Sequence, residues 1–447
     1  MFRFTKVLTA MLLIASFSHA QTQLTVYNHG EALVKEQFTR QVPSGKSTLE
    51  IEDVAETIIP ASVKLSGDDQ LQVLEQNFRY DLVNQNKLLK KYLEAEISVI
   101  MQNDKKLTGE LLSYNDKTLV IRGRTGTDII QRSFVGSIKC PSPKERLYVR
   151  PTLSWDVNNS GAINQQLDLS YMTRLINWRA EYVAVINEDD TEINFSSWIN
   201  MQNNSGKQFK NTKLKLVAGD LHRASNVRPS MAMQEDRIFK SRGSAVVVER
   251  DFFEYHIYEI GFPVTINNRE EKQIQWLNPT LISAQKRYVF NSRNSELSNI
   301  PIKIIFINDE KTGTGMPLPA GVVRLFKEDT DGALELVGED NLKHVSKDDK
   351  VTLEVGKAYD VKGKYEVLDR RSKQNRYKED DIRITLVNRK DTAVKIDVLQ
   401  GIAHQNWAIV NASAEYEKVD ASRVKFTIPV PANKEVVLTY TSRVDLK

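Results

Sequence analysis

Chemistry in this chain would have to start from the stretch RLINWRAEYVAVIN, residues 174–187, where Trp178, Arg179, Glu181 and Tyr182 fall within five positions. Such a set is either catalytic equipment or the wall of a β-sandwich. Side chains alternate along a strand, so Trp178, Ala180, Tyr182 and Ala184 share one face, while Arg179, Glu181 and Val183 share the other. The rings then read as packing anchors and Arg179 with Glu181 as near neighbours on the second face.

The remaining reactive groups are scattered. His29, His222, His256, His344 and His404 include no two at a metal-binding spacing such as H-x-x-x-H, and no metal is expected. There is no G-x-S-x-G, no P-loop and no G-x-G-x-x-G; TGTGMP has glycines without the following Lys that phosphate binding needs. Glu188-Asp189-Asp190 and Asp380-Asp381 lie in turn sequences, where Asp is common for conformational reasons, with a weak calcium site as the chemical alternative. The single cysteine, Cys140 in SIKCPSP, cannot form an intramolecular disulfide and reads as a small packed or linker thiol. No cofactor is expected.

The elements that must position these groups begin after a leader. Arg3 and Lys6 precede an apolar run from Val7 to Phe17, and Ser18-His19-Ala20 ends it with small residues, which predicts a signal peptide over 1–20 cut before Gln21. The run is too short to span a bilayer, so the mature chain is expected to be exported without a transmembrane segment, to a periplasm or cell surface. A formal charge of +4 from 62 basic and 58 acidic side chains, mixed along the chain, excludes the basic footprint of a nucleic-acid binder.

Alternating segments predict an all-β protein of several β-sandwich or immunoglobulin-like domains. QLTVYNHGEALVKEQFTRQV reads as a hairpin turning at Asn28-His29-Gly30 and opens an N-terminal β domain over 21–80. Leu82, Leu89 and Leu93 share one face of a short helix over 81–94. Five compact strands come next over 95–140, with the rhythm of a small SH3/Sm-like barrel; export and scarce aromatics, only Tyr114 and Phe134, argue against RNA as its ligand. Long strands resume in a central sandwich over 150–380, which carries a polar stretch at 224–250 read as a mobile loop. Five strands over 381–447 fit a C-terminal immunoglobulin-like domain without a disulfide.

LSYMTRLINWRAEYVAVIN, WINMQNNSGKQFKNTKLKLVAGD, MPLPAGVVRLFKEDTDGALELVGED and KVTLEVGKAYDVKGKYEV resemble the DUF4139 family. This is a bacterial domain of unknown function, whose longer members are called mucoidy-inhibitor-like. The opening LTVYNHGEALVKEQFTRQVPSGKSTLEIEDV is similar to the domain that accompanies it. A small barrel stands here where a coiled coil often separates the two parts. The resemblance implies a β fold in a bacterial envelope and no established activity.

Two functions are compatible with these residues. The first is a non-enzymatic envelope protein that binds a protein partner through sandwich faces, edge strands or Met231 and Met233 of the 224–250 stretch. The second is a carbohydrate-binding or carbohydrate-processing protein using Trp155, Trp276 and Trp407, which requires at least two of them exposed on one concave face.

Overall fold

Period-two alternation becomes strand nearly everywhere in the computed structural model, which describes residues 21–79, 85–142, 148–219, 247–252, 255–373, 376–402, 404 and 406–446. The expected leader and most of the 224–250 stretch, with Met231 and Met233, lie outside the described residues. Strand Ile176–Ile186 shows the principle: Trp178, Ala180, Tyr182 and Ala184 are buried, and the residues between them reach solvent. The protein is all-β and sandwich-like, with one α-helix, Gln85–Lys91, among the described residues. No helix there is long and apolar enough to cross a membrane.

The N-terminal segment is woven into sheets built from later strands. Gln21–Tyr27 and Glu31–Gln41 form the expected hairpin, with Gly30 in the left-handed region at its turn. The hairpin is flanked by Phe209–Ala218, parallel, and by Asn164–Arg174, antiparallel, in an eight-stranded sheet. Gly45–Glu52 and Leu71–Arg79 pair with the two edges of Thr152–Asn159. These strands share one apolar core with residues as distant as Leu353, so residues 21–79 are not a body of their own. The reason is physical: a lone hairpin has one half-buried face and needs further strands to cover it.

The barrel interrupts that arrangement. Glu96–Met101, Lys106–Tyr114, Thr118–Arg122, Thr127–Gln131 and Val135–Lys139 form a separate five-stranded sheet with its own core. The helix belongs to it, since Leu89 is buried in that core. The whole unit occupies the connection between Leu71–Arg79 and Thr152–Asn159, which are antiparallel neighbours. Cys140 is half-buried beside it, and burial pushes its thiol up, away from the reactive thiolate.

A second five-stranded sheet lies in the order Glu270–Ser283, Glu192–Asn203, Ile176–Ile186, Gly321–Glu328, Leu334–Leu342. Gly321 is required here, because a Cβ would stand 2.2 Å from the carbonyl oxygen of Ala180 on the parallel neighbour. The rest of the chain forms a nine-stranded sheet from Trp407–Ala412 to Tyr416–Asp420. Its two edge strands approach each other: Lys418 Nζ donates to the Trp407 carbonyl at 3.2 Å and sits 4.2 Å from the indole centre. The expected division at 380/381 falls inside strand Tyr377–Asn388, which pairs along its length with Lys350–Lys373. Tyr288, Phe290 and Ile300 share the core of Ile382 and Phe426, so the C-terminal body draws strands from residue 285 onward. Five strands alone would have left one face of that core in water.

Candidate interaction surface

The five-stranded sheet of long strands has two faces with different tasks. Its inner face carries Trp178, Tyr182, Phe195 and Trp276, and these join Tyr258 and Phe306 in a string of six rings. Trp178 meets Tyr258 edge-on at 6.1 Å and Tyr258 meets Trp276 at 5.3 Å. Trp276 meets Tyr182 at 6.1 Å, Tyr182 stacks on Phe195 at 5.2 Å, and Phe195 reaches Phe306 at 5.7 Å. The string runs from the eight-stranded sheet through the five-stranded sheet to the nine-stranded one. Packing in this geometry adds roughly 0.5–1.5 kcal/mol per ring pair beyond area burial.

Two hydroxyls on the string fix the segment that leads into strand Gly321–Glu328. Tyr182 Oη donates to the Pro319 carbonyl at 2.7 Å, and Tyr258 Oη to the Pro317 carbonyl at 3.2 Å. Between them Leu318 exchanges backbone hydrogen bonds with Val345, and Asn308 Nδ2 donates to the Met316 carbonyl. The Ala320 amide donates to His344 Nδ1 at 3.2 Å. The conspicuous MPLPAG and GEDNLKH segments are thus a clasp of carbonyls, amides and one imidazole. Burial and the neighbouring Tyr258 hold the Tyr182 phenol well above its ordinary range, so it stays a donor.

On the outer face Glu181 takes hydrogen bonds from Arg179 Nε at 2.9 Å, Arg324 Nη1 at 3.3 Å and Asn200 Nδ2 at 3.3 Å. Arg324 continues to Glu339 at 3.2 Å, and Asn200 to Glu271, so charged and amide groups link all five strands. Burial alone would raise the Glu181 carboxyl, but Arg179 and Arg324 outweigh it and hold it below the usual carboxylate range. The pairing of Arg179 with Glu181 on this face agrees with the alternation. Asp190, in the turn after strand Ile176–Ile186, is held in the same way by Lys286 at 2.7 Å and Lys327 at 2.6 Å. Asp381 is held by Arg371 and by Thr441 Oγ1 at 2.7 Å. Asp190 in its turn, and Asp381, which lies within strand Tyr377–Asn388 and not in the turn the sequence suggested, are thus carboxylates already engaged by cations, and no group of metal-ligating side chains occurs among the described residues. His222 lies outside them.

The sugar-stacking candidates occupy other positions than the sequence suggested. Trp155 is 0% exposed, Trp276 7% and Trp407 6%, in three separate places. Trp155 Nε1 donates to Gln76 at 2.8 Å, Trp276 sits in the ring string, and Trp407 Nε1 donates to the Ala421 carbonyl at 2.6 Å. Trp155 and Trp276 lie in the middle of their strands and face inward, and Trp407, which opens its strand, is covered by Lys418 and Ala421. The tryptophan that does reach solvent is Trp198, 38% exposed on the outer face opposite Glu181. Its signal was legible: in EINFSSWINMQN, Ile193, Phe195, Ile199 and Met201 set the inward phase, and Trp198 is out of phase with them.

Four residues from Trp198 along its strand, a row of four apolar side chains and Asn194 crosses the sheet. Cross-strand register aligns Leu281, Asn194, Val185, Phe326 and Leu336. Leu281 is 64% and Leu336 56% exposed, with Leu334 and Val337 also exposed beside them. The row ends at Leu334–Leu342, the last strand of the sheet. A family model described as a domain of unknown function, DUF4139, matches residues 167–446, which takes in this entire sheet and leaves out the barrel. No curated protein matches the chain.

Replacing Tyr182 with Phe should lower unfolding free energy by about 1–3 kcal/mol, the cost of an unsatisfied buried carbonyl at Pro319. Urea titration measures it, and an unchanged midpoint would contradict the clasp. Glu181 has a depressed native pKa, so its contribution is present above the unfolded value of about 4.3 and disappears as pH falls through the native value. The stability gap between the native chain and Glu181→Gln should therefore shrink on going from neutral pH to about pH 3; a constant gap would refute the charge clamp.

Proposed function

The chain belongs to the DUF4139 family, and on that premise we propose that it is an exported, non-enzymatic protein of a bacterial cell envelope that binds a protein partner through the outer face of its five-stranded sheet. The observation that carries this reading is the row from Leu281 to Leu336 across the five strands, apolar on four of them and occupied by Asn194 on Glu192–Asn203. Sheet faces turned to water normally carry polar side chains. Exposed apolar side chains beside fixed charge mark a protein contact; here Leu281 and Leu336 are exposed at the two ends of the row, and the clamp of Arg179, Glu181, Arg324 and Glu339 lies beside it. Aliphatic side chains with one exposed indole suit another protein surface better than a sugar, which favours flat aromatic platforms. The carbohydrate reading has lost its support with the burial of Trp155, Trp276 and Trp407.

Export rests on the basic, apolar and small-residue order of the first twenty positions. The first described strand begins at Gln21, immediately after the expected cut.

Photoreactive residues placed at Leu281 and Leu336 test the reading in intact cells, with one at Ile129, an exposed position of the barrel, as the comparison. A discrete envelope-protein adduct from the two sheet positions and none from Ile129 is expected. Adducts from Ile129 alone, or none from any position while fractionation confirms export, would overturn it.

A further inference from the structure

The edge where the apolar row ends has a chemistry that selects its occupant. Strand Leu334–Leu342 pairs with Gly321–Glu328 on one side only. Its second half is closed by the neighbouring Lys350–Lys373 strand: a Cβ on Gly338 would stand 2.0 Å from the Val355 carbonyl oxygen, and Asp340 accepts the Glu354 amide at 2.7 Å. Among the described residues no second strand pairs with its first half, Leu334 to Val337, and Leu334, Leu336 and Val337 are 55%, 56% and 38% exposed. Natural edges are usually guarded against pairing by Lys, Pro or a covering element. LELV has neither Lys nor Pro; its guards are the charge of Glu335 and the register shift that leaves Val337 without a partner on Gly321–Glu328.

Charge narrows the choice further. From Glu328 to Asp340 the sequence EDTDGALELVGED holds six acidic residues and no basic one. Glu339 is already paired with Arg324. Glu328, Asp329, Asp331 and Glu335 form no ion pair among the described residues. An identical edge from a second copy would bring like charges face to face, which disfavours homodimers through this strand. An extended segment with alternating cationic and apolar residues meets every feature at once. Its backbone completes the ladder at Leu334 to Val337, and its apolar side chains extend the row beyond Leu336. Its cations face Glu335 and the acidic turn.

We propose that this open half-edge takes up a cationic, extended segment of the partner protein as an added strand. The inference rests on the protein-interaction reading above and names the chemistry of the partner. The site is short, because Gly338 and Val355 stop the added strand there, and about five residues fill it.

The test uses the chain from Gln21 to its end and a labelled, end-capped Lys-Val-Lys-Val-Lys-Val peptide, with binding followed by fluorescence anisotropy. The Glu-for-Lys peptide and a peptide N-methylated on alternate amides serve as probes of charge and of backbone pairing. Binding of the first peptide is expected, with at least about tenfold weaker binding of the other two. The double variant Asp331→Lys, Glu335→Lys should lose about tenfold for the Lys peptide. Binding indifferent to N-methylation would overturn strand addition in favour of loose adhesion to an acidic surface. Binding indifferent to the double variant would overturn the assignment to this edge. No binding of the Lys peptide, with a discrete adduct still formed at Leu336 in cells, would overturn this inference and leave the interaction reading standing; loss of both would end the two together.

Discussion

The fold depends on one buried phenol. Tyr182 stacks on Phe195, meets Trp276 edge-on, and commits its hydroxyl to the Pro319 carbonyl. Through those three contacts it joins the ring string to the segment that sets strand Gly321–Glu328 against Ile176–Ile186. Parallel pairing between strands so far apart in sequence has no turn to enforce it, and the clasp takes that part. Gly321 completes it by allowing two backbones closer than any side chain would tolerate. Because rings of the string come from three sheets, the core extends from Leu24 to Leu353 as one apolar body, and the N-terminal hairpin is inseparable from it.

A sheet so occupied on its inner face has its outer face and its free edge left for contact with other molecules. The clamp on Glu181 makes the outer face charged at its centre, with carboxylate and guanidinium groups each engaged by neighbours. The apolar row lies beside this centre and runs out at the acidic edge. Specificity and attraction are thereby divided: aliphatic surface supplies contact area, and the uncompensated acids set the sign of what can approach.

Much of this was legible in the sequence, and what was not has a common cause. Period-two alternation gave the inward phase of Trp178 and Tyr182, the five strands of the barrel, and the turns at Asn28-His29-Gly30 and after Ile186. Alternation carries no information about partners, so the pairing of Gln21–Tyr27 with Phe209–Ala218 and the continuity of the sheet across residue 380 were invisible. The same blindness misplaced Trp155 and Trp276, which distant elements cover, and Trp407, which Lys418 and Ala421 cover. Trp198 escaped notice because Ser197 interrupts the inward apolar series; its hydroxyl instead donates to the Glu181 carbonyl at 3.0 Å, where the register with Glu270–Ser283 shifts.

Hydrogen exchange of the isolated protein, resolved along residues 170–345, tests the central claim most directly: that the five-stranded sheet is locked from within and open at one edge. Such a sheet should show its slowest exchange in Ile176–Ile186 and much faster exchange for amides of Leu334 to Val337 that point away from Gly321–Glu328. Equal protection of those edge amides and of the central strand would contradict it, since the edge would then be already covered.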